Sequence, residues 1–103
     1  MGGVQARLME RVWRSTQAYN AAGAQFITTE LDLALIFCKI GMSTHSAAHA
    51  KRNAENAERA LHAALRVKDR IRLSEEKEQE TARKIGELEL LLKRLNDRVT
   101  TLT

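Results

Sequence analysis

Residues 47–64 read AAHAKRNAENAERALHAA, and residues 85–102 read IGELELLLKRLNDRVTTL. At alternating steps of three and four, the first stretch gives Ala47, Ala50, Ala54, Ala57, Leu61 and Ala64. The second gives Ile85, Leu88, Leu92, Leu95, Val99 and Leu102. Residues at such steps share one side of an α-helix, so each stretch is a helix with a face built to pack on other helices. No proline interrupts either one anywhere in the 103 residues.

The two ladders differ in side-chain size, and the difference constrains their neighbours. Alanines bury little area but let a second helix approach toward the lower end of the usual ~8–10 Å interaxial range. Bulky groups must then reach across to them, and the available ones are the leucine ladder together with Leu31, Ala34 and Cys38. The short connection Asp69–Leu73 folds the two helices, about 44–68 and about 74–101, into an antiparallel hairpin with arms of roughly 37 and 42 Å. Ser43 or Thr44 caps the first of them and Ser74 the second, with Glu75 and Glu76 set against the positive end of the helix dipole. Glu80 with Lys84, Glu89 with Lys93 and Lys93 with Asp97 are spaced for surface ion pairs that mark the exposed side.

Upstream, residues 24–40 are apolar nearly all round, with Thr28, Asp32 and Lys39 on one polar strip. A helix with so little polar surface needs cover on several sides, which makes it the central element, and Gly41 reads as its stop. Residues 4–20 carry Val4, Leu8, Val12 and Tyr19 on one side, Met9 and Trp13 beside them, and Arg7, Arg11 and Arg14 opposite. Asn20-Ala21-Ala22-Gly23 reads as the end of that helix. The expected architecture is all-α, one domain over residues 1–103, an up-and-down four-helix bundle with a long antiparallel C-terminal hairpin. The central helix is shorter than the hairpin and leaves its far end uncovered, in keeping with the absence of large apolar residues from Ser74 to Lys84.

A chain of this size buries roughly 65% of its unfolded surface, enough for a modest core without staples. The single cysteine, Cys38, has no internal partner and lies in the most apolar stretch, Leu31–Ile40, so it reads as a small buried hydrophobe in a reduced, cytoplasmic setting. That stretch is too short to span a bilayer and contains Asp32 and Lys39, so it reads as core and no membrane partner is expected. The start, Met1-Gly2-Gly3-Val4-Gln5-Ala6, lacks the Ser or Thr of a myristoylation signal, and Glu10 interrupts the arginines that would make a transit peptide.

Net charge is +4, divided as +2 over residues 1–20, −1 over 21–50, +4 over 51–72 and −1 over 73–103. The basic charge is concentrated on one helix. Lys51, Arg52, Arg59, Arg66 and Arg70 form the candidate patch for an acidic partner, set against the simpler reading of a solvated face neutralised by glutamates of the next helix. Nucleic-acid association through this helix is the alternative function, although Trp13, Tyr19, Phe26 and Phe37 lie elsewhere and no helix-turn-helix is readable. His45 and His49 are four apart and could both face one metal ion, but no third ligand lies near them and His62 is more than three turns away. No glycine-rich phosphate loop, His-Glu-x-x-His or Cys-x-x-Cys is present, and the chain has little loop on which to build a catalytic cleft. The expectation is a non-enzymatic module without cofactor or metal.

The stretch Ala57-x-x-x-Leu61-x-x-Ala64 resembles the second-helix signature of a tetratricopeptide-type repeat, and Leu31-x-x-Ala34 or Leu33-Ala34-x-x-Phe37 is similar to its first-helix positions. Ala34 and Ala57 stand 23 positions apart where the family's small residues are about a dozen apart, and no second copy or proline after Ala64 follows. The resemblance implies an elongated helical hairpin that docks another protein. Its candidate docking face is the widened leucine ladder, Leu88, Leu90, Leu91, Leu95, Val99 and Leu102, which a thin single chain has difficulty covering. The expected partner is a second copy in a dimer, or another helical protein.

Overall fold

The computed structural model describes residues 2–103, with side chains from Gly3 onward; Met1, and with it part of the start considered above for a lipidation signal, lies outside. The described residues form three helices, α1 (Gly2–Ser43), α2 (Ala47–Lys68) and α3 (Glu75–Leu102). The all-α class holds and the four-helix bundle does not, because the break expected at Asn20–Gly23 is absent and α1 runs unbroken for 42 residues.

The physical reason lies in what Gly23 and Gly41 do. Neither adopts the positive φ of a helix stop. Each instead removes a side chain where another helix or loop comes too close for one. A Cβ on Gly23 would stand 2.8 Å from Ile71 Cδ1, and one on Gly41 would stand 2.7 Å from Leu95 Cδ1 and 3.2 Å from Asn53 Cβ. Between them Ile27, Leu31, Ala34 and Cys38 are fully buried. The face Gly23, Ile27, Leu31, Ala34, Cys38, Gly41 covers five turns at the natural 3.6-residue period. Asn20 does not close a turn either, since its Oδ1 accepts the backbone N–H of Arg72 at 3.2 Å.

The three helices run up, down and up. Along the parallel pair α1 and α3, the Arg72 N–H meets Asn20, Lys84 Nζ meets Asp32 Oδ1 at 2.8 Å, and Arg98 Nη2 donates to the Thr44 carbonyl at 2.7 Å. These three contacts are evenly in step, so α1 passes over the far end of the α2–α3 hairpin that was expected to be bare. The alanine face of α2 (Ala50, Ala54, Ala57, Ala60, Ala64) is buried, and α1 approaches it more closely than α3 does. Leu88, Leu92 and Leu95 complete the core from α3.

Capping differs from expectation at one end. Ser46, rather than Ser43 or Thr44, caps α2, its hydroxyl accepting the His49 N–H at 3.3 Å, while the Thr44 hydroxyl accepts the Ser46 N–H. Ser74 caps α3 as expected, accepting the Lys77 N–H at 3.2 Å. The molecule measures 70 × 22 × 16 Å. Since α3 is about 42 Å long and α1 about 63 Å, the excess is the N-terminal part of α1, which projects beyond the other helices instead of folding back to complete their cover. Every residue from Gly3 to Tyr19 is exposed.

Candidate interaction surface

The residues expected to form a partner face on α3 have mostly found cover within the chain. Leu88 and Leu95 are fully buried, Leu91, Val99 and Leu102 are half-buried against the core, and only Leu90 stands exposed on the outer side. The exposed apolar surface of the protein lies on α1. Val4, Leu8, Met9, Val12, Trp13, Tyr19, Phe26, Leu33, Ile36 and Ile40 all project from it with a third or more of their surface free.

These residues are ordered along the helix. Val12, Tyr19, Phe26, Leu33 and Ile40 recur every seven residues, each between 39% and 63% exposed. Leu8, Ser15, Ala22, Thr29 and Ile36 recur at the same interval beside them, with Leu8 and Ile36 exposed at the two ends. This is an a/d seam sustained for nearly five heptads. It lies well away from the buried face, so α1 carries one apolar stripe for its own chain and a second that nothing in the chain covers. The two stripes also differ in period. A step of seven falls about 20° short of two helical turns, so a strict heptad stripe faces one direction throughout only if its helix winds around a second helix.

The same signal was present in the sequence. It was hidden by dividing α1 at Gly23, which left Val12 and Tyr19 in one short helix and Phe26, Leu33 and Ile40 in another that seemed apolar on every side. Where α1 borders α2, the stripe opens into a shallow groove lined by Glu30, Leu33 and Phe37 from α1 and by Asn56, Arg59, Ala60 and Ala63 from α2. The small residues of α2 make that groove, since Ala60 and Ala63 leave room where longer side chains would close it.

By length and composition α1 is apolar enough to cross a membrane, with a mean hydropathy of 1.3 over its most apolar 18 residues. Within this structure Ile27, Leu31, Ala34 and Cys38 of that helix face the other two helices, and Asp32 is paired with Lys84. Cys38 is a free thiol, and burial pushes it up to about 11, away from the range in which a thiolate is available as nucleophile or ligand.

The cations Lys51, Arg52, Arg59, Arg66 and Arg70 are all exposed on α2. None of the ion pairs among the described residues involves them; those pairs are Arg14–Glu10 within α1, Lys84 with Asp32, and Lys77–Glu80, Arg83–Glu87 and Lys84–Glu80 within α3. Of the pairs spaced for contact on α3, Glu80–Lys84 forms at 3.8 Å. His45 and His49 are exposed, and among the described residues no three of His, Cys, Asp and Glu gather around one point. No family model, curated protein or solved structure matches the chain.

Proposed function

We propose that this protein is a non-enzymatic helical assembly module, acting in a reducing, cytoplasmic setting, which docks a partner helix along the exposed heptad stripe of α1. One observation carries the reading: five large apolar residues at strict seven-residue spacing stand uncovered along the longest helix of the chain. Monomeric proteins leave single apolar residues exposed as a matter of course, but a continuous stripe of this length marks a contact surface. A photo-reactive benzoylphenylalanine in place of Tyr19, activated in cells that express the full chain, tests it. The expected result is a discrete protein adduct that disappears when Phe26→Asp and Leu33→Asp are introduced on the same stripe. Absence of any adduct, or one indifferent to those substitutions, overturns the proposal.

A second reading has its own observation. Among the described residues Lys51, Arg52, Arg59, Arg66 and Arg70 make no ion pair, and a basic face left unpaired favours a polyanion. Nucleic-acid association predicts retention on duplex or single-stranded DNA that falls steeply with salt and with Arg52→Glu and Arg59→Glu. No retention at low salt would dispose of it.

A further inference from the structure

We infer that the helix which covers the stripe is α1 of a second copy of this chain, lying antiparallel, so that the projecting arm of each copy runs along the uncovered face of the other. The inference rests on the assembly reading above and names its partner. Two lengths agree first. The arm, residues 3–20, and the exposed stripe of the packed part, residues 22–40, are each about 27 Å long, so one covers the other when a two-fold axis crosses α1 between Asn20 and Ala21.

Side-chain sizes agree with that direction and not with the opposite one. In an antiparallel pair each position of the first series faces one of the second. The axis given sets Tyr19 against Ala22 of the second copy, Phe26 against its Ser15, Val12 against its Thr29 and Leu33 against its Leu8. Each aromatic ring thus meets a small residue. A parallel pair would stack Tyr19 on Tyr19 and Phe26 on Phe26 while leaving layers of Ser15, Ala22 and Thr29 unfilled, which wastes packing at alternate levels.

Charge agrees as well. The arm carries Arg7, Arg11 and Arg14 against a single Glu10, whereas residues 21–38 carry only Glu30 and Asp32. The same register brings Arg11 beside Asp32 of the second copy, twice by symmetry, at the flanking positions where coiled coils place their ion pairs; Asp32 holds Lys84 of its own chain through Oδ1 and is half-exposed, which leaves its other oxygen for Arg11. The groove between α1 and α2 provides the seat, where Leu33, Phe37, Ala60 and Ala63 receive the arm. Leu8, Val12, Tyr19, Phe26, Leu33, Ile36 and Ile40 each keep between 39% and 63% of their surface free along the stripe for that contact. Antiparallel pairing is isologous and closes at two copies.

Sedimentation and bis-maleimide cross-linking of the full chain test this. The expected mass at tens of micromolar is twice the 11.6 kDa of one chain, and Phe26→Asp returns it to one while leaving the packed region helical. Leu8→Cys and Leu33→Cys, mixed, cross-link to one another, and neither does so alone. Arg11→Asp weakens the dimer about tenfold, and adding Asp32→Arg restores it. A single-chain mass at 100 μM, or efficient cross-linking of Leu8→Cys with itself as in a parallel pair, overturns the inference. So does flotation of a single-chain species with anionic lipid vesicles. A single-chain mass combined with a Tyr19 photo-adduct to a different polypeptide would overturn the self-pairing and leave the assembly reading standing.

Discussion

Within α1 the first four turns and the last five form one continuous helix, yet they depend on different things. The packed part is held by a face of period 3.6, Gly23 through Gly41, whose large members are fully buried against α2 and α3. The arm has the same backbone and carries Val4, Leu8, Met9, Val12, Trp13 and Tyr19, but it meets the rest of its chain only at its base, where Gln17 and Asn20 border Arg72, and all of Gly3–Tyr19 is exposed. A helix is stabilised mostly by the apolar face it buries and little by propensity, so an arm of eighteen residues, 3–20, is a marginal helix until something covers it. Apolar residues do not by themselves locate a core; their period, and what stands opposite them, does.

The largest expected effect comes from substituting one leucine in each region. Leu31 has no exposed surface, so Leu31→Ala leaves a cavity at the centre of the bundle and should lower stability by about 3–4 kcal/mol. Leu8, more than half exposed on the arm, has no such neighbours, and Leu8→Ala should cost less than about 0.5 kcal/mol when measured below the concentration at which copies associate. Urea titrations of both variants at low protein concentration check the contrast. Equal losses would mean that the arm folds back on its own chain.

Much of the packed region was legible in the sequence and the arm was not, for a reason that can be stated residue by residue. The α2–α3 hairpin follows from the alanine and leucine ladders, the short Asp69–Leu73 connection and the Ser74 cap, all local features that no distant contact overrides. The continuity of α1 depends on Ile71 and Leu95, which lie 48 and 54 positions away from the glycines they meet. A glycine that ends a helix and a glycine that admits a neighbour look alike in sequence, because both are defined by the missing Cβ. Cutting α1 at Gly23 also divided the exposed heptad series and concealed the candidate surface. The burial of Leu88 and Leu95, which the sequence offered as a partner face, follows from the same long helix, since α1 reaches Gly41 to meet Leu95.

Cys38 lies on the packed side of α1, fully buried. Its thiol is raised above its ordinary value by burial, so the folded state favours the protonated form. The stabilisation is complete below the thiol pKa of the unfolded chain and is lost as pH rises through the folded value of about 11. A rise from 9.0 to about 11 corresponds to roughly 3 kcal/mol, lost between about pH 9 and pH 11. Thermal melts of the parent and of Cys38→Ala should diverge over that window, the parent losing more, and the thiol should react with a maleimide only at the rate of unfolding. Fast modification in the native protein would show that the centre of α1 opens locally.

The smallest effects come from the glycines, and they separate the two reasons a helix carries one. Replacing glycine by alanine inside a helix gains up to about 1 kcal/mol from propensity alone, provided the new methyl has room. At Gly86 nothing lies within 4 Å of the added Cβ, so Gly86→Ala should realise most of that gain. At Gly23 the methyl meets Ile71 at 2.8 Å, but Ile71 is only half-buried at the edge of the bundle and can rotate away, so gain and strain should nearly cancel. Gly41 has no such relief. Leu95 is fully buried at 2.7 Å and the Cβ of Asn53 closes the other side at 3.2 Å, so Gly41→Ala should destabilise by about 1–2 kcal/mol despite its better propensity. The ranking Gly86→Ala above Gly23→Ala above Gly41→Ala in melting temperature is the signature of a helix that passes continuously over its neighbours. If α1 instead ended at Gly23, with that residue in the left-handed conformation of a helix stop, Gly23→Ala would be the most damaging of the three, because alanine is strained there whatever space surrounds it.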